Sequence, residues 1–148
     1  MPETSAFTVS PAEWSADEAG IALVRRAVFI EEQAVPESLE WETLDPECMW
    51  FVARAGGGEV VGIVRLTPDG RIGRMAVLPS WRSRGVGMAL LDAVMTAARR
   101  QGIATPRLSA QTHAVAFYAR FGFQVEGEVY QDAGIPHLAM TFTFKDLQ

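Results

Sequence analysis

The sequence predicts an α/β (α+β) domain, one mixed central sheet of about six to seven strands with helices on both faces. Three observations carry this. Apolar, β-branched runs of strand length alternate with segments of helical periodicity. Three of those runs follow one another between short turn signals, as an antiparallel meander does. No repeat, low-complexity tract or linker divides the 148 residues, so residues 1–148 read as a single domain.

The elements follow in order. Phe7 to Val9 is a short first strand. Ser15 and Glu18 have the spacing of a capping box, and Ile21, Leu23, Val24, Val28 and Phe29 then recur at roughly helical spacing. This predicts a helix from about Ala16 to Glu32, with room for an interruption, ended by Pro36. Pro36 to Glu47 is acidic and weakly patterned, a loop or short helix. Trp50–Ala55 and Val60–Thr67 flank Gly56-Gly57-Gly58 as a hairpin, and Pro68-Asp69-Gly70 turns the chain into Arg71–Leu78. A strong amphipathic helix runs from about Gly85 to Gln101. Its last turn carries Arg99 and Arg100, and Gly102 suits the left-handed position after it. Arg107–Ala110 is a strand, Ala114–Phe121 a short helix, and Phe123–Tyr130 and Leu138–Phe144 are the last strands. Leu138–Phe144 could pair with a second subunit to make a homodimer, but the core sheet is its simpler place.

Composition excludes several classes. The hydrophobic fraction of 49% and charged fraction of 21% are those of a globular protein. A net charge of -5 disfavours a nucleic-acid-binding surface, which needs clustered positive charge. No apolar stretch approaches the roughly 20 residues that span a bilayer, so no membrane partner is expected. Met1–Ser5 has no basic segment leading into an apolar one, so no secretory signal is expected. Cys48 stands alone, which rules out an intrachain disulfide and fits a reducing, cytoplasmic setting. Two histidines and one cysteine leave little material for a zinc site, and no metal is expected.

The most informative stretch is Met75 to Leu91, where a strand enters the turn Arg82-Ser83-Arg84-Gly85-Val86-Gly87 and the turn opens the long helix. The first turn of a helix offers backbone N–H groups without intrahelical partners, and the helix dipole favours an anion there. Gly85 and Gly87 remove Cβ atoms from the approach, and Arg82 and Arg84 add charge. Taken alone, the glycines fit a tight connection equally well. No Lys-Ser or Lys-Thr follows them, so the turn is not a Walker loop, and the three-glycine dinucleotide pattern is absent.

Arg82-x-x-Gly85-x-Gly87 resembles the R/Q-x-x-G-x-G/A acetyl-CoA signature of the GNAT acyltransferases. Ala114-x-x-x-Tyr118-x-x-x-Gly122-Phe123 resembles a second motif of the same superfamily. Val28–Gln33, Leu108–Gln111 and Asp132–His137 resemble its ElaA/YjcF-like branch. The resemblance implies a single GNAT-like domain that transfers an acetyl group from acetyl-CoA to a primary amine, directly and in a ternary complex. It places coenzyme A against Met75, Val77, Arg82, Arg84, Gly85, Val86, Gly87, Met88, Gln111 and Phe117, with Gln111 standing where many members carry Asn. It implies that the strand ending near Val77 diverges from Leu108–Gln111, leaving the Met75 and Val77 backbone free to bind the pantetheine arm, with an N–H near Val77 facing the developing oxyanion.

Tyr118 is the candidate general acid, since a phenol is protonated at neutral pH. By pattern alone it serves equally as a ring packed on the sheet, and the family match favours catalysis. Glu32 is the first candidate base, against a solvated or structurally bonded glutamate. His137 is an alternative base or a backbone cap, and His113 a loop histidine beside the cleft. Cys48 has no neighbouring base to activate it, which argues against a covalent route. Glu40 and Glu42, with Glu31, Glu32, Glu37, Asp45 and Glu47, form either a negative rim for a small cationic amine or peptide, or a solvated loop. Trp41 and Trp50 nearby either stack on a cation or pack. The competing readings are a noncatalytic acyl-CoA binding module and a structural protein that kept only the fold.

Overall fold

Seven strands, β1 (Phe7–Pro11), β2 (Met49–Ala55), β3 (Val60–Leu66), β4 (Arg71–Val77), β5 (Arg107–Gln111), β6 (Gln124–Asp132) and β7 (Ile135–Thr141), form one sheet in the order β1-β2-β3-β4-β5-β7-β6. The computed structural model describes residues 6–147; Met1–Ser5, the segment expected to carry no secretory signal, and Gln148 lie outside them. Neighbours from β1 to β4 are antiparallel, as the meander requires. β4 and β5 are parallel, because a helix carries the chain between them. β7 lies between β5 and β6, so both its edges are paired and the run from Leu138 belongs to the core sheet.

Helix α1 (Trp14–Arg25) packs on one face and α3 (Val86–Arg100) on the other. Alternation along β2 feeds both cores. Trp50 and Val52 meet Ile21 and Val24 of α1 and Val28 just beyond it, while Phe51 and Ala53 meet the α3 side. Leu90 and Leu91 of α3 are wholly buried, each worth about 1.5–3 kcal/mol. Gly62 on β3 allows the close approach of α3, since a Cβ there would lie 2.9 Å from Val86 Cγ1 and 3.0 Å from Leu90 Cδ1. The short helices α2 (Glu37–Glu40) and α4 (Val115–Phe121) flank the strands that form the site.

The structure corrects the start of α1. Glu13 is the N-cap, and the Asp17 carboxylate, not the Ser15–Glu18 box, reaches back to the Glu13 N–H at 2.9 Å. Asp17 also pairs with Arg54 at 2.7 Å, which fixes that carboxylate in place. The predicted helix does run to Glu32, but from Arg26 it is wound as a π-helix. The Gln33 N–H closes that segment on the Val28 carbonyl at 3.0 Å. π windings of this kind gather at functional sites.

Candidate active site

β4 and β5 pair only at Arg71↔Arg107 and Ile72↔Leu108, and then part. The bend has a local origin. The register of β3 against β4 slips between Ile63 and Arg65, and Arg74 takes a left-handed φ of 50°. Beyond the slip, the Leu78 N–H bonds to Val61 O at 2.9 Å. In an antiparallel ladder alternate residues face the partner strand, so Val77 turns its backbone groups away from β3 and into the gap. Its carbonyl accepts from Arg82 Nε at 2.9 Å, so of the Val77 backbone groups expected to serve the cofactor arm, only the N–H remains.

The turn after β4 begins α3 with no side chain capping it. Gly85, with φ 86°, is the N-cap, and nothing lies within 4 Å of the position a Cβ would take. The first-turn N–H groups of Val86, Gly87 and Met88 thus open onto an uncluttered cradle, and these residues fit a pyrophosphate. The Val86 side chain is buried in the core, so that residue can offer only its backbone. The space beside Gly87 is taken by the Phe117 ring, 3.4 Å from where a Cβ would sit. Arg84 stacks on Trp81 at 4.8 Å.

Arg82 is not free. Its guanidinium meets Glu32 through two bonds of 2.8 and 2.6 Å. The hydrogen bond from Arg82 holds the Glu32 carboxyl below its usual range, further from the near-neutral pKa a general base needs. Next to Glu32, Gln33 accepts from Gln111 Nε2 at 2.8 Å, so the end of the π segment is tied both to the turn and to β5.

A cavity of about 460 Å³ is lined by β4 from Arg71 to Met75, by Leu108–Gln111 of β5, and by Phe29, Gln33, Tyr118 and His137 among others. The Tyr118 hydroxyl lies 3.8 Å from Met75 Sδ. Its ring keeps some exposed surface, yet enough protein surrounds the hydroxyl that burial pushes the phenol up to about 12. His137 is buried, with Nδ1 2.7 Å from Ile135 O. A carbonyl only accepts, so Nδ1 carries a proton and Nε2 is the ring nitrogen left to accept one. Exposed His113 sits in the Thr112–Ala114 turn on the cavity rim. Burial pushes the Cys48 thiol up, the wrong direction for a nucleophile.

Within the acidic segment, Glu40, Glu42 and Asp45 form neither a solvated loop nor a free negative rim. Glu40 and Asp45 are 3% and 4% exposed. Arg25 bonds Glu40 at 2.8 Å and Asp45 at 2.9 Å, and lies between Trp41 and Trp50 at 4.8 and 5.2 Å from their ring centres. The cation those indoles stack on is therefore the protein's own. Glu42 bonds Arg65 at 2.5 Å, and Arg74 lies 3.0 Å from Glu40 and 3.3 Å from Glu42. Sequence reasoning missed these arginines. The available signals were a charge on the Ile21–Val28 apolar stripe and another inside the β-branched run of β3.

Residues 12–144 match the family model described as the acetyltransferase (GNAT) domain. An uncharacterized N-acetyltransferase of Bacillus subtilis, YjcF, is 41% identical over 120 residues, spanning 79% of this chain and 86% of that protein. The crystal structure of an acyl-CoA N-acyltransferase from Pseudomonas aeruginosa superposes with a TM-score of 0.82 at 27% identity, covering 93% of this chain and 100% of that one. Escherichia coli ElaA does so with a TM-score of 0.80 at 25% identity, covering 93% and 99%.

Proposed function

The chain belongs to the GNAT family of acyl-CoA-dependent N-acyltransferases, in its ElaA/YjcF-like branch, and we propose that it moves an acetyl group from acetyl-CoA to a primary amine by direct attack in a ternary complex. The observation that carries this is the split between β4 and β5, with Tyr118 and Met75 at its cavity and an uncapped helix N-terminus directly after β4. The amine nitrogen forms a bond to the thioester carbon as the carbon–sulfur bond breaks.

Each residue then has a task. The Val86, Gly87 and Met88 N–H groups hold the pyrophosphate, with Arg84 beside them and Arg82 joining once it leaves Glu32. Met75, Gln111 and Phe117 flank the arm. The Val77 N–H polarises the thioester carbonyl. Tyr118, protonated across the physiological range, donates to the departing sulfur. His137 Nε2 accepts the amine proton. It takes precedence over Glu32, whose carboxylate is already held by Arg82. Glu40 and Glu42 are neutralised by arginines, so the pull on a cationic acceptor does not come from them. The lone Cys48 is consistent with a cytoplasmic enzyme.

The test is calorimetric titration with acetyl-CoA, followed by thiol release with an amine panel, for the wild type and Gly85→Glu. Saturable binding that vanishes in the folded variant is the expected result. No binding by folded wild type would overturn the proposal, and binding without thiol release for any amine would point to a noncatalytic module.

A further inference from the structure

We propose that the acceptor carries a carboxylate about one to three residue lengths from its reacting amine, held by Arg65 and Arg71 over the side-chain-free position at Gly73. This rests on the acetyltransferase reading above and names the substrate class that the same cavity would take.

The charged groups on the cavity wall are Glu40, Glu42, Arg65, Arg71, Arg74 and Asp132. Most are consumed by one another. Glu40 is held by Arg25 and Arg74, and Glu42 by Arg65 and Arg74. Arg65 is only 4% exposed, yet it makes both its carboxylate bonds, to Glu42 and Asp45, through Nη1 alone. Among the described residues its Nε is buried without a hydrogen-bond partner, and its Nη2 makes no hydrogen bond. The Arg71 side chain has neither a hydrogen bond nor an ion pair among the described residues. The neighbouring Arg107, by contrast, is taken by Asp69 at 2.8 Å.

The backbone brings these two guanidinium groups to one face. Arg65 is the register partner of Gly73, and Arg71 precedes Gly73 by two residues on the same strand. A Cβ at Gly73 would meet only Arg65 Nη2, at 3.8 Å, so the floor between the two cations is open. Two guanidinium groups around an open floor suit a carboxylate, which accepts from several N–H donors at once. The strand also serves as a ruler. Met75 and Val77 follow Gly73 by two and four residues, which is at most about 7 to 13 Å of strand, shortened by the left-handed Arg74 between them. An α-carboxylate next to the amine is too close to fill both ends, whereas an extended peptide gains about 3.3–3.6 Å per residue. Asp132, exposed and without a partner among the described residues, lines the same cavity opposite Ile135, beyond His137 on the β6–β7 hairpin, and offers its charge to an approaching ammonium.

The experiment compares acetyl transfer to Gly-Gly, to Gly-Gly amide and to spermidine, in the wild type, Arg71→Gln and Gly73→Asp. Wild type is expected to favour the free acid over its amide by about tenfold in kcat/KM, the scale of one charge-assisted hydrogen bond. Arg71→Gln should bring that ratio close to one. Gly73→Asp, which places a carboxylate of the chain's own on the floor, should do the same. A wild type that prefers the amide or spermidine overturns the inference. So does transfer to none of the three by protein that binds acetyl-CoA in the calorimeter. Failure of acetyl-CoA to bind at all instead strikes the function proposed above, and the two failures are thereby told apart.

Discussion

Two of the arginine–carboxylate clusters that hold the segment between α1 and β2 differ in burial. In the first, Arg25, Glu40 and Asp45 expose 1%, 3% and 6% of their side chains. In the second, Arg82 and Glu32 expose 40% and 42%. Both are made of close bonds, so bond length does not distinguish them. Solvent does. Around the exposed pair water screens the attraction and replaces either partner at little cost, so such a pair is worth about 0–1 kcal/mol. Around the buried cluster no water takes a lost partner's place, and removing Arg25 leaves each carboxylate with one arginine instead of two. The first cluster is therefore scaffold, fixing the wall of the cavity. The second is exchangeable, which is what the pyrophosphate role proposed for Arg82 requires.

The largest effect should come from breaking the buried cluster. Arg25→Ala leaves buried Glu40 with only Arg74 and buried Asp45 with only Arg65, and should cost about 3–5 kcal/mol in denaturant unfolding. The matching change in the exposed cluster, Arg82→Ala, should cost under about 1 kcal/mol in the same measurement. Equal losses in the two variants would erase the distinction.

Next in size is the chemistry. Tyr118→Phe should lower turnover by about a hundredfold, the lower end for general acid–base catalysis. Its acetyl-CoA affinity in the calorimeter should stay near wild type, because the hydroxyl contacts only Met75 Sδ in this structure. Arg82→Ala should show the reverse pattern, an affinity weakened by about tenfold as one charged contact is lost, with turnover at saturation nearly kept. Unchanged turnover in Tyr118→Phe would remove that residue from the reaction.

How much of this was legible follows from the range of the interactions. The strand and helix order was readable, because periodicity and turn residues are local signals, and so was the turn at Arg82–Gly87. The parting of β4 from β5 was reached only through the family resemblance. Its physical cause, a register slip with Arg74 at positive φ, has no local signature, since Arg gives no hint of a left-handed backbone. The charge state of the acidic segment was misread for a related reason. Glu40, Glu42 and Asp45 are near neighbours in sequence, but the arginines that neutralise them come from α1, β3 and β4. Arg25 lies four residues after Ile21, so on the helix it falls beside the apolar stripe, and a charge there, like Arg65 within the apolar run of β3, was the available sign of a buried partner.

The smallest predicted effect separates the clusters by pH. Asp45 feels burial most, which raises its pKa, but the Glu42 N–H, Arg25 and Arg65 outweigh that and leave the carboxyl below its usual 3.8. Glu32 is lowered chiefly by the hydrogen bond from Arg82, from 4.5. A carboxyl depressed in the folded state contributes stability above its unfolded pKa and loses that contribution as pH falls through the folded value. Both groups therefore favour the fold at neutral pH and cease to do so only below about pH 4. Glu32 is largely in water, so Glu32→Gln should leave the acid unfolding midpoint almost where it was, whereas Asp45→Asn should lower stability at pH 7 and flatten its decline in acid. The same Glu32→Gln protein reports on chemistry. With the carboxylate gone, Arg82 is released toward the turn, so acetyl-CoA affinity should hold or rise slightly, and turnover at neutral pH should stay near wild type because the proposed base is His137. A loss of turnover of about a hundredfold in Glu32→Gln would return the role of base to Glu32, and would mean that the Arg82 pair opens fully when acetyl-CoA binds.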